Sequence, residues 1–145
     1  MEVEKGVMAA VFKDNGRALV LKRKKNWEGW ELLKGGLENN DYRETVLLEL
    51  KEEAGIPGEL VNSIKDLDFT TTWKYTRNGE KRRKEYKAFA LKVSNDALVD
   101  TSNNPSDEHE NGFFLRPRHI KEMLEYENGK KVLEKACNEF NIKLK

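Results

Sequence analysis

The chain reads as an α/β protein with a mixed sheet between helical layers. Three observations predict this. Two hairpin signals, Asp14-Asn15-Gly16-Arg17 and Arg77-Asn78-Gly79-Glu80, each separate strand-like runs. A glycine turn at Gly35-Gly36 leads into one charged helix that stops at Gly55. Two helical stretches follow the last apolar strand, near the C-terminus.

The elements follow in order. Val7 to Phe12 is a short apolar run expected as a buried strand, and Ala18 to Leu21 is its return strand. Lys22-Arg23-Lys24-Lys25 is either a charged strand end or a set of phosphate counter-charges. Trp27 and Trp30 flank Gly29, and Trp30, read as packing, leads into a short strand Glu31-Leu32-Leu33 ending at Lys34-Gly35-Gly36. After the helix, Pro57-Gly58 turns the chain and Leu60 to Ile64 enters the next sheet region. Phe69 to Tyr75 is rich in threonine and aromatics, which favours strand. Lys84 to Val93 alternates like a strand, with the basic run Lys81 to Lys84 at its start. Ser94 to Asp107, including Asn103-Asn104-Pro105, is polar loop, and Gly112 to Leu115 is a short apolar strand. Pro117 opens a helix carrying Ile120, Met123 and Leu124, which Glu127-Asn128-Gly129 is expected to break. Lys130 to Phe140 is a second helix, with Val132, Leu133, Ala136, Cys137 and Phe140 on its apolar side.

A length of 145 residues suits one domain spanning 1–145 with one substantial core. The net charge of +1 gives no global pull toward nucleic acid or anionic membrane. Charged residues make up 37%, above the roughly 25% of an average protein, as expected of an ion-pair-rich surface. Cys137 is the only cysteine, which excludes an intramolecular disulfide or a zinc cluster. No apolar run approaches ~18 residues and no signal-peptide pattern opens the chain, so a cytoplasmic location is expected.

The helix carries the chemistry. Asp41 with Glu44 three residues on forms a capping-box pattern, and Gly55 is placed to end the last turn in the left-handed conformation. On a helical wheel Val46, Leu47, Leu50 and Ala54 face a core. Glu49, Glu52 and Glu53 share another side at i, i+3 and i+4. Each such like-charge pair costs roughly 0.2–0.5 kcal/mol, so the trio calls for a cation. Hard oxygen ligands suit Mg²⁺ or Mn²⁺, above all beside a phosphate. The plain alternative is a solvated acidic face.

The stretch from Lys34 to Ile56 resembles the signature box of the Nudix hydrolases, in the run Leu48-Glu49-Leu50-Lys51-Glu52-Glu53-Ala54-Gly55-Ile56. The resemblance implies an α/β/α sandwich with a mixed sheet, metal ligation by Glu49, Glu52 and Glu53, and help from the Gly36 carbonyl. Leu48 stands where the family has arginine, and Asn40 where it has a loop glutamate, in a loop two residues shorter. Both partners of the family's bracing ion pair are therefore missing, so a different brace, and reduced or redirected activity, are expected.

Features outside the box are similar to those of the asymmetric dinucleoside tetraphosphate hydrolases: Trp30 through Lys34-Gly35, Tyr75 before the second hairpin and Lys84 after it, and Glu108-His109 before Phe113-Phe114. This implies hydrolysis of dinucleoside polyphosphates such as diadenosine tetraphosphate. Catalytic roles would fall to Glu52, Glu53 and Glu108, with Glu108 a further metal ligand and Glu110 in reserve. Lys34, Tyr75, Lys84 and Phe113 would contact substrate. The diphosphoinositol polyphosphate hydrolases share the Lys-Gly-Gly turn and are the competing branch; a catalytically weakened nucleotide-binding module is the other alternative. Read without the family, His109 and His119 are structural or exposed, with no metal-ligand partner at useful spacing.

Overall fold

The run Val7 to Phe12 becomes the middle of β1 (Glu2–Lys13) and is nearly inaccessible, each residue being at most 6% exposed. Both faces of this strand are covered, so its apolar residues need not alternate with polar ones. The structure, a computed structural model, describes residues 2–25, 28–102 and 107–144. Trp27 and the Asn103-Asn104-Pro105 segment lie outside the described residues.

Six further strands follow: β2 (Ala18–Arg23), β3 (Gly29–Glu31), β4 (Leu33–Gly36), β5 (Val61–Arg77), β6 (Glu80–Val93) and β7 (His109–Leu115). The helices are α1 (Tyr42–Ala54), α2 (Pro117–Met123) and α3 (Glu127–Glu139), with a 3₁₀ turn at Gly58–Leu60. The sheet runs β3-β2-β1-β6-β5, with β4 added to β1 and β7 to β2. β1 and β6 are parallel along their length and the other pairs antiparallel, so the sheet is mixed as expected. α1 covers one face through Val46, Leu50 and Ala54 against Val7, Ala9, Val11 and Leu33. α2 and α3 cover the other through Ile120, Val132, Leu133 and Cys137 against Met8, Ala10 and Phe12. This is the α/β/α sandwich. Both hairpin turns form, and Asn78 and Gly79 adopt the positive φ that a tight two-residue hairpin needs (52° and 78°).

Several expectations change. The strand expected over Glu31-Leu32-Leu33 divides at Leu32: β3 pairs with β2, whereas β4 pairs with β1. β1 meets β2 at Phe12–Ala18 and the two then diverge, so one segment crosses from one strand to the other. Leu32 marks the crossing and is buried against Met8 and Leu124 on the α3 side. The stretches expected separately at Leu60 to Ile64 and Phe69 to Tyr75 are one strand, bulged between Asp66 and Thr70 where Asp68 has φ 51°. Leu47 is only half-buried, and the buried side of α1 instead includes Thr45, Glu49 and Glu53.

Glu127-Asn128-Gly129 does not break a helix but begins one. The break falls at Leu124, whose backbone bridges to Trp30. Gly129 is buried, and a Cβ there would lie 3.5 Å from a Leu124 methyl. That is ordinary van der Waals contact, so the glycine is neither a stop nor demanded by the packing here. Among the described residues no helix is long and apolar enough to cross a membrane.

Candidate active site

The helix α1 is pinned at both ends. The Asp41 carboxylate accepts from the Glu44 N–H at 3.0 Å; Gly55, at φ 69°, donates to the Lys51 carbonyl at 3.0 Å, and the Ile56 N–H to that of Leu50 at 3.3 Å. The capping box is only half made. The Glu44 carboxylate takes the Asn39 side-chain amide at 3.1 Å, while the Asp41 N–H goes to the Glu38 carbonyl.

The shortened loop before the helix has its own brace, as the missing arginine and glutamate required. Thr45, fully buried, accepts from the Glu38 N–H at 2.8 Å and lies 2.7 Å from the Asp41 carbonyl and 3.2 Å from that of Glu38. Asn39 and Asn40 both adopt left-handed φ, 51° and 56°, so the chain reverses within Glu38–Asp41. A neutral hydroxyl network replaces an ion pair. Nothing in the periodicity singles Thr45 out, because it sits inside the helix like any spacer.

The three glutamates converge as expected. Glu49, Glu52 and Glu53 offer carboxylate oxygens within 4.8 Å of one another. Glu49 and Glu53 are 8% and 5% exposed. Burial, reinforced by the charges of Glu53, Glu52 and Glu108, pushes the Glu49 carboxyl up to about 8. The Glu49 carboxyl packs on the α-carbon of Gly35: a Cβ there would lie 2.1 Å from Glu49 Cδ. A Cβ on Gly36, by contrast, would meet nothing within 4 Å. Among the described residues no lysine or arginine ion-pairs with Glu49 or Glu52. An all-oxygen donor set in which Glu49 and Glu52 are paired to no lysine or arginine among the described residues fits a hard divalent ion.

His109 takes the structural alternative rather than the exposed one, and it does meet carboxylate partners, from distant parts of the chain. It is 2% exposed; its Nδ1 lies 2.9 Å from Glu53 Oε2 and its Nε2 2.6 Å from Glu31 Oε2. Burial pushes the imidazole down, but its hydrogen bonds and charge contacts with Glu31 and Glu53 outweigh that and hold it up at about 9. Glu31, 7% exposed, also takes the Arg23 guanidinium at 3.2 Å and has Lys34 Nζ 3.3 Å away. Arg23 reaches Glu108 at 3.3 Å, so Glu108 joins this second cluster, at the edge of the first. Glu110 turns away to Lys22 at 2.9 Å and takes no part. Sequence reasoning did not single out Glu31, and reached Arg23 only within a basic run offered as phosphate counter-charges; the signal within reach was the Glu-His pair before the aromatic strand.

Beyond Glu31 opens a cavity of about 500 Å³ on the α3 side of the sheet, within the range of small-ligand sites. Lys34, Lys84, Tyr75, Trp73 and Trp30 are among its walls. The ammonium groups of Lys34 and Lys84 lie 5.5 and 5.9 Å from the Trp73 ring centre, and Lys84 is 5.4 Å from that of Tyr75. Burial and the Lys34 charge push Lys84 down, with Glu4 opposing. The Tyr75 hydroxyl donates to Glu4. Phe113 is not part of the wall; it is 46% exposed and backs Trp30 at 6.0 Å between centroids. Trp73, at the centre of the lysine pair, was noticed only as one of a strand's aromatics. The basic runs are largely neutralised: Lys24 pairs with Asp107, Arg82 with Glu2, Glu4 and Glu80, and Arg83 with Glu85.

A capped helix presenting a buried carboxylate trio beside a lysine-lined cavity matches one known class. Residues 3–136 match the NUDIX domain, and the chain belongs to the Nudix hydrolases, which act on pyrophosphate bonds. No curated protein sequence matches it significantly. Among solved structures it is similar to a Caenorhabditis elegans Ap4A hydrolase binary complex at 21% identity and TM-score 0.70, over 97% of this chain and 98% of that one. The Escherichia coli dihydroneopterin triphosphate pyrophosphohydrolase matches at 16% identity and TM-score 0.72, over 92% and 96%. The NUDIX domain of Shewanella oneidensis NrtR, complexed with ADP ribose, matches at 15% and 0.68, over 97% and 89%. At these identities the likeness is one of fold.

Proposed function

We propose that the chain is an Mg²⁺-dependent hydrolase of nucleoside polyphosphates, with dinucleoside tetraphosphates such as diadenosine tetraphosphate as its substrates. The observation that carries this reading is the convergence of Glu49, Glu52 and Glu53 one imidazole away from a cavity holding two lysines against a tryptophan. Glu49, Glu52 and Glu53 would hold Mg²⁺, or Mn²⁺ in its place, with the Gly36 carbonyl and Glu108 completing the set. Such a cation neutralises phosphate oxygens and lowers the pKa of a water. The water oxygen attacks phosphorus, the anhydride P–O bond breaks, and a carboxylate takes the water proton, with Glu53 and Glu108 the candidates and Glu52 supporting the ion. Lys34, Lys84 and Tyr75 would align the phosphate chain. Trp73 and Trp30 offer faces on which a base could stack, with Phe113 supporting Trp30. Likeness to an Ap4A hydrolase fold supports this choice of substrate. The neutralised basic runs leave the inositol branch with less support, because its extra counter-charges are already engaged.

Replacing Glu52 by Gln is expected to lower Mg²⁺-dependent turnover by roughly 10²–10⁴-fold. A panel of diadenosine tetraphosphate, ADP-ribose, a nucleoside triphosphate and a diphosphoinositol phosphate, with products identified, tests the substrate. Unchanged turnover in the variant removes the metal role, and cleavage of the inositol compound alone selects the other branch.

A further inference from the structure

We infer that His109, backed by Glu31, is a positioning residue that fixes one oxygen of Glu53 and so sets how tightly the carboxylate trio grips its cation. The inference rests on the metal-site reading above and assigns residues outside the signature helix to it. Its basis is geometric. The ring is inaccessible and both its nitrogens face carboxylate oxygens, at 2.9 Å on α1 and 2.6 Å on β3. A ring clamped at both ends cannot rotate, and Glu53 keeps a single oxygen for the trio.

The far end of the clamp is itself held. Glu31 is gripped by Arg23 at 3.2 Å and has Lys34 3.3 Å away. The series Lys34–Glu31–His109–Glu53 therefore links the phosphate side of the cavity to the metal side of the helix. A β-bulge makes it possible. β2 and β7 pair Lys22 with Asn111 but Arg23 with His109, skipping Glu110. The extra residue sends Glu110 out to Lys22 while Arg23 and His109 both turn inward. Leu48, in place of the family's arginine, brings no cation of its own to the helix, so the orienting contact comes from a distant strand. Partners that orient a ligand in this way typically carry 10–100-fold in metal affinity.

Two near-isosteric variants separate this role from packing. In His109→Asn the amide nitrogen takes the place of Nδ1 and still reaches Glu53. In His109→Gln it takes the place of Nε2 and reaches only Glu31. Calorimetric Mn²⁺ titration should find His109→Asn within about threefold of wild type and His109→Gln weaker by about 10–100-fold, with kcat falling in step and KM within about twofold. Equal affinity in both variants, whether high or low, overturns the role. Should either variant fail to fold, Glu31→Gln leaves the ring in place and is expected to weaken Mn²⁺ several-fold, and an unchanged affinity there overturns it too. If wild type itself takes up no Mn²⁺, the metal site falls and this role with it; normal wild-type binding beside indifferent variants removes this role alone.

Discussion

Two adjacent glycines in the same turn face different surroundings, and their substitutions should separate cleanly. A methyl on Gly35 would meet the Glu49 carboxyl at 2.1 Å, so Gly35→Ala must displace a metal ligand. Mn²⁺ affinity is expected to fall at least about tenfold, the scale for a disturbed ligand support. Gly36→Ala has open space and keeps its carbonyl, so the same titration should find it close to wild type. The resemblance implied a role for the Gly36 carbonyl, but the space around each α-carbon is not legible in the sequence, where both residues belong to one turn. Thr45 is a second residue whose role only its surroundings show. Thr45→Val preserves shape but removes the acceptor of the Glu38 N–H, and should cost about 0.5–1.5 kcal/mol in urea unfolding.

At the scale of elements, α1 is the best-announced piece of the chain because its start and stop signals are local. Asp41 caps it and Gly55 closes it, as expected. Asp41→Ala should destabilise the protein by about 0.5–2 kcal/mol, read from the urea midpoint at constant m. Elements governed by neighbours were harder to read. The crossing at Leu32 exists because β1 and β2 diverge, a fact of pairing rather than composition. Gly129 reads as a stop, yet it lies in the first turn of α3, which packs against the sheet. The bulge in β7 breaks the two-residue alternation that sequence patterns rely on, so the opposite directions taken by His109 and Glu110 are not legible from it.

For the whole molecule, the acidic cluster and its histidine set a pH dependence. Glu49 is held up at about 8 in the folded state against an ordinary 4.5, so the folded chain carries an extra proton between those values. His109, at about 9 against 6.5, does the same between those two. Where the folded state binds more protons, stability falls as pH rises. Protein kept in chelator should therefore show a Tm that drops steadily from pH 5 to pH 9 in scanning calorimetry. A divalent ion held at the proposed site would compete with these protons and favour the folded chain, so added Mg²⁺ should raise Tm, and by more at pH 9 than at pH 6. A chelated Tm that rises over that range would contradict the buried cluster.

By itself the sequence determined the fold class, the ends of the signature helix, and the alignment of Glu49, Glu52 and Glu53 on one side of it, because each follows from spacing along a single element. Tertiary structure alone decided which groups meet that trio. Gly35 beneath Glu49, and Glu31 and Arg23 joined to Glu53 through His109, bring the helix against strands from separate parts of the chain. Their contacts depend on sheet pairing and on one skipped residue, and neither periodicity nor composition encodes these.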